Sequence, residues 1–143
     1  QLLSVAYGGE YEHSPEREIG VFPVTLTEAG LADEHIKGFG KTLNTGHWHG
    51  DMPGLTDNAV VLAISQGCPR QIVRFSPKHY AFQAHLEFDL EAIDLLIAAD
   101  GEEHLRQQNK ELPFVQTPEQ LRANDYSEMN KKLYDFLDSL TQA

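Results

Sequence analysis

Residues 81–89 read AFQAHLEFD. The short alternating run Tyr80–Ala84 predicts a β-strand. Asp89 then precedes Leu90, Ile93, Leu96 and Ile97, which fall on one face of a helix that the aspartate can cap. His85 and Glu87 stand at the junction, two residues apart, and an extended backbone points both to one side. A carboxylate beside an imidazole fixes its tautomer. It also stabilises the imidazolium formed when the histidine takes a proton from a nucleophile. A bare H-x-E pair is equally at home in a surface ion pair, so the surroundings must decide.

Upstream, Leu2, Leu3, Val5 and Ala6 predict a helix stopped by Gly8-Gly9. Gly9–His13 reads as a short strand, Ser14-Pro15-Glu16 as a turn, and Ile19–Leu26 as a strand placed near a sheet edge by Pro23. A short helix runs from Thr27 towards Ile36 and ends at Gly38 and Gly40. Lys41–His49 is a strand entering a loop at Gly50–Leu55. Asn58–Ile64, Gln71–Phe75 and Tyr80–Ala84 are strands divided by the turns Gly67-Cys68-Pro69 and Ser76-Pro77-Lys78. Such close spacing predicts an antiparallel ribbon. Downstream the chain turns helical. Glu102–Asn109 is one helix, and Thr117-Pro118-Glu119-Gln120 is a capping box that starts another. A last helix over about Ser127–Leu140 carries Met129, Leu133, Phe136, Leu137 and Leu140 as a core stripe.

With 143 residues, 41% hydrophobic and 23% charged, the chain belongs to the globular class. Its net charge of −11 argues against nucleic acid and against an anionic membrane surface as partners. No apolar run is long enough to span a bilayer, and a single cysteine fits a reducing cytoplasm.

Two further stretches bear chemistry. In GHWHGDMPG, residues 46–54, His47, His49 and Asp51 have the spacing of a metal cage. The H-x-H-x-D-H motif of metallohydrolases nevertheless needs a final histidine where Met52 stands, and no metal ligand is assigned. A metal-dependent hydrolase that adds His85 to these three is the alternative enzyme, and a non-catalytic interaction domain is the alternative outside enzymology. Cys68 is followed by Pro69 and a strand. A nucleophilic cysteine is expected on a strand-to-helix elbow, where a helix N-terminus favours the thiolate, so Cys68 reads as a turn residue.

The run Phe82–Phe88 followed by a capped helix resembles the closing signature of class I glutamine amidotransferases, in which a strand delivers the histidine and glutamate of a Cys-His-Glu triad. The resemblance extends to Gly67–Val73, His49–Leu55 and Pro15–Pro23, and its order is similar to the amidotransferase domain of GMP synthase. It covers about residues 1–98 and leaves a less diagnostic helical tail, 99–143. It implies an α/β, three-layer flavodoxin-like fold, here incomplete, of which residues 1–143 form the C-terminal part of a single domain. His85 and Glu87 are then catalytic, while Gln1, Trp48, His49 and Gly50 bind substrate. The family's nucleophile sits in a G-x-C-x-G-x-Q elbow whose last residue Gln1 resembles, so the chain is expected to be a fragment without it, inactive alone. Glutamine is the implied substrate of the intact domain, a synthetase or acceptor subunit the implied recipient of ammonia, and no cofactor is required. Uncovered strand faces further predict self-association.

Overall fold

A computed structural model describes residues 1–142 as a twisted, largely antiparallel sheet with helices packed against it. Helix α1 (Leu2–Ala6) leads through Gly8, at φ +83°, into the long strand β1 (Tyr11–Leu26). The short helix α2 (Glu28–Ala32) and a 3-10 turn (Lys37–Phe39) return the chain to β2 (Thr42–Pro53), which runs antiparallel to β1 along most of its length. Strands β3 (Val60–Ile64), β4 (Ile72–Ser76) and β5 (His79–Phe82) form the expected antiparallel ribbon, and the sheet order is β2-β1-β3-β4-β5. Helices α3 (Leu90–Asp100), α4 (Glu102–Glu111), α5 (Pro118–Ala123) and α6 (Ser127–Thr141) follow. The two-residue strand β6 (Phe114–Val115) adds a parallel pairing to β1.

Two local expectations are corrected. Ser14-Pro15-Glu16 is no turn: it lies inside β1 as an irregularity between His13 and Glu18. A proline has no N–H to give a ladder, so a bulge is where a strand can carry one. Gly50–Pro53 is likewise no loop but the end of β2, where Pro53, Met52 and Asp51 pair with Tyr11, Glu12 and His13. Pro23 meets its edge only locally. On the side of β1 away from β2, β6 pairs at 18–19 and β3 at 25–26, leaving the stretch between without a strand neighbour. Gln116 fills part of that gap: its amide oxygen accepts from the Val21 N–H at 3.1 Å.

Alternation along the strands separates two apolar layers. Ile19, Val24, Leu26 and Ile72 face the main core with Leu86, Ile93, Ile97, Leu105, Leu121, Met129 and Phe136 from the helical half. Val73, Phe75 and Ala81 face the other way and are covered by Leu3 of α1. The predicted caps are formed: Asp89 accepts from Ala92 N at 2.8 Å, and Thr117 and Gln120 bond reciprocally. Among the described residues no helix is long and apolar enough to cross a membrane.

Candidate functional site

His85 lies three residues beyond the end of β5, in a segment held against β2 by a two-way backbone pairing with Gly46. Gly46 N donates to His85 O at 3.0 Å, and His85 N to Gly46 O at 2.8 Å. A side chain on Gly46 would not fit, because its Cβ would stand 2.8 Å from His85 O and 2.5 Å from the Phe88 ring. Beyond this bridge, Glu87 Oε1 lies 2.6 Å from His85 Nδ1. A carboxylate only accepts, so this contact puts the imidazole proton on Nδ1 and leaves Nε2 with a lone pair. Phe88 stacks on the imidazole with ring centres 4.4 Å apart and planes within 5°. Burial pushes the Glu87 carboxyl upward. The hydrogen bond from His85 and backbone donors outweigh it and hold the group below the usual carboxylate range.

His85 opens on a cleft of about 320 Å³ that it lines with Gln1, Leu2, Leu3, Ala81, Phe82 and Gln83. Gln1 Nε2 donates to Gln83 Oε1 at 3.2 Å across it. The structure thus brings Gln1 together with His85, although they are far apart in sequence. Trp48, His49 and Gly50 do not line this cleft. The Trp48 indole N–H donates to Asp100 Oδ2 at 3.2 Å, His49 is buried, and a Cβ on Gly50 would meet only the Arg17 side chain, at 4.0 Å.

His49 belongs to a second, fully enclosed cluster whose centre is Glu18, a residue the sequence did not single out. Glu18 Oε1 accepts from Ser65 Oγ at 2.7 Å, and Oε2 from Gln71 Nε2 at 2.6 Å and His49 Nε2 at 3.1 Å. His47 Nδ1 is 3.5 Å from Oε2. The other His47 nitrogen, Nε2, faces Phe22 O at 3.2 Å and Thr45 Oγ1 at 3.0 Å. Burial lowers the His47 imidazole to about 4 against the upward pull of Glu18, so this histidine is neutral near pH 7. Glu18 is also pushed upward by burial, but hydrogen bonds from His49 and Ser65 and the neighbouring imidazoles hold it below the usual carboxylate range.

Glu18, His47 and His49 are the set that could hold a divalent cation among the described residues, with ligand atoms all within 4.8 Å of one another. Asp51 is not part of it. That carboxylate instead takes His13 Nδ1 at 2.6 Å on the surface, beyond the bulge in β1. A hydrolytic metal centre keeps one coordination position open to substrate. With Glu18 and His47 at 0% exposure, the cluster offers no such face. Cys68 is buried as well, and burial raises its thiol to about 11. That is the opposite of what a nucleophile needs.

No protein-family model matches the chain. Over all 143 residues it is 50% identical to the glutamine amidotransferase-like protein YfeJ of Salmonella typhimurium, of which it covers 59%. Among solved structures, 99% of it superposes on the protein SMU.1228c with a TM-score of 0.95 at 55% identity, covering 59% of that chain. A glutamine amidotransferase from Methylobacillus flagellatus has the same fold, with a TM-score of 0.86 at 23% identity, again over 59% of its length. The chain therefore spans about three fifths of the relatives it matches.

Proposed function

We propose that this chain, which belongs to the glutamine amidotransferase-like family, is the C-terminal part of a single amidotransferase domain and supplies two members of its catalytic triad. The observation that carries the reading is the His85–Glu87 contact at 2.6 Å, beside a cleft lined by Gln1 and Gln83. In this reading a cysteine from the portion of the domain that the chain does not span gives its thiol proton to His85 Nε2. The resulting thiolate attacks the side-chain amide carbon of glutamine. His85 then returns the proton to the departing nitrogen, which leaves as ammonia, and a glutamyl thioester remains. Water, deprotonated by the same imidazole, hydrolyses the thioester to glutamate and regenerates the thiol. Glu87 keeps the imidazole proton on Nδ1 throughout and stabilises each imidazolium.

Gln1 is the substrate-binding residue nearest this chemistry. Trp48 and His49 contribute from behind by fixing strand β2, whose Gly46 pins His85, and Gly50 lies on the same strand. No step calls on a metal or an organic cofactor. Ammonia would pass to an acceptor held by a synthetase domain or subunit, in a cytoplasmic protein. The test is glutamate release by a protein that includes the elbow cysteine. His85→Ala should cost about 10²–10⁴-fold in kcat, and Cys68→Ala should leave turnover unchanged. The 143-residue chain by itself should release no glutamate. Release by that chain, abolished by Cys68→Ala, would overturn both the reading and the assignment of Cys68 as structural.

A further inference from the structure

The C-terminal helix reaches the His85–Glu87 pair through one side chain. Asn130, on the first turn of α6, points its amide nitrogen at the backbone between β5 and α3. It donates to Leu86 O at 2.6 Å and to Phe88 O at 3.0 Å. A primary amide has two hydrogens, and here each is spent on a carbonyl on either side of Glu87. We infer that Asn130 is a positioning residue for the reaction: by holding the Leu86 carbonyl, in the peptide that leads into Glu87, and the Phe88 carbonyl one residue beyond it, Asn130 sets the carboxylate against His85 Nδ1. The inference rests on the reading of His85 and Glu87 as triad members, and it gives a role in the chemistry to the helical tail.

The two halves of the pair are anchored independently. His85 is tied to β2 by its backbone bridge to Gly46. Glu87 has no such strand partner. Its neighbours Leu86 and Phe88 are buried, at 1% and 6% exposure, while its own side chain projects into solvent at 59%. The Glu87 carboxylate reaches His85 Nδ1 only from a defined backbone position, and the clamp from Asn130 holds that backbone. The clamp has a rigid base, since the adjacent Met129 is 1% exposed in the main core and Phe136 docks the next turns of α6. The same two hydrogen bonds also fix the residue whose ring stacks on His85, so ring and carboxylate are located by one donor. A misplaced Glu87 frees the imidazole to adopt the other tautomer, in which Nε2 carries the proton and cannot act as the base.

Nitrogen NMR of the histidine-labelled protein reads the His85 tautomer directly, and glutaminase kinetics of the protein containing the elbow cysteine read its consequence. Asn130→Ala and Asn130→Asp, which both remove the two N–H donors, should convert a single Nδ1–H tautomer into a mixture. They should lower kcat by about tenfold while KM stays within about twofold. Asn130→Gln keeps both donors and should recover most of kcat. Met129→Ala, which loosens α6 without touching either carbonyl, separates positioning from mere stability: it should lower Tm and leave the tautomer alone. The inference is overturned if the Asn130 variants lower Tm but leave tautomer and kcat unchanged, or if Met129→Ala disturbs the tautomer as much. Absence of glutaminase activity in the unsubstituted protein would instead refute the proposed function, and the tautomer comparison would still decide whether Asn130 sets the pair.

Discussion

A neutral histidine sealed in the core makes stability depend on pH in a defined window. His47 has 0% exposure and an imidazole lowered by burial to about 4, against an ordinary value of 6.5. Above pH 6.5 the folded and unfolded chains both carry it neutral, so it adds no pH dependence. Between 6.5 and 4 the unfolded chain binds a proton that the folded chain refuses, and stability falls with falling pH. Below 4 both are protonated and the effect is complete. At pH 5 the separation between the two values corresponds to a loss of about 2 kcal/mol, or about 1 M in the urea midpoint for a domain of this size. Glu18 adds its own loss only at lower pH, because its folded value lies below the ordinary 4.5. The assay is urea unfolding at pH 7.5 and pH 5.0 for the unsubstituted protein and for His47→Gln, which keeps an amide donor for Phe22 O. The variant will start from a lower stability, but its midpoint should move between the two pH values by about 1 M less. An equal shift in both proteins would refute the argument, since the proton uptake would then belong to other groups.

Three other outcomes are expected. Cys68 should resist iodoacetamide at pH 8 in the folded protein and react fully in denaturant, as expected of a buried thiol raised to about 11, with mass spectrometry as the readout. Gly46→Ala should lower stability by about 1–3 kcal/mol, because its methyl meets His85 O at 2.8 Å and the Phe88 ring at 2.5 Å. Gly38→Ala, where a Cβ meets nothing within 4 Å, should be close to neutral in the same thermal melt. Phe136→Ala should cost about 3–5 kcal/mol in urea unfolding, since that ring packs edge-on against Phe39, Tyr80 and Phe82 and joins the 3-10 turn, the ribbon and α6.

The parts of the fold that could be read in advance are those written in local chemistry. Thr117-Pro118-Glu119-Gln120 announces α5 because a capping box is satisfied within four residues, and the structure forms both of its hydrogen bonds. Asp89 announces α3 for the same reason. The extent of β1 and β2 could not be read this way. Ser14-Pro15-Glu16 has turn composition, yet pairing to β2 continues on both sides of it, and the chain takes up the misfit as a bulge. That choice is made by a partner strand, since His13 pairs with Asp51 and Glu18 with His49, and no local window contains both.

The same distinction separates the two histidine clusters. His85 and Glu87 are two residues apart and their contact is made over that distance, so the pairing is local, although the segment that carries it lies beyond β5 in bends and one isolated bridge rather than in the strand that the spacing predicts. His47, His49 and Asp51 obey the same spacing and yet part company. The irregularity between His13 and Glu18 places His49 opposite Glu18 on the enclosed part of β2, and Asp51 opposite His13 at its exposed end. The carboxylate that does meet the two imidazoles is Glu18, whose partners Ser65, Gly67 and Gln71 lie 47, 49 and 53 residues further on. Nothing in the run PEREIGVF distinguishes a glutamate destined for the core from its neighbours Glu16 and Arg17 at the surface. Burying an ionised carboxylate is tolerable only when several donors converge on it, and convergence is a property of the assembled sheet rather than of any segment. The stretch GHWHGDMPG therefore resembles a metal cage in sequence, while in the fold its histidines serve a buried glutamate and its Gly46 serves His85.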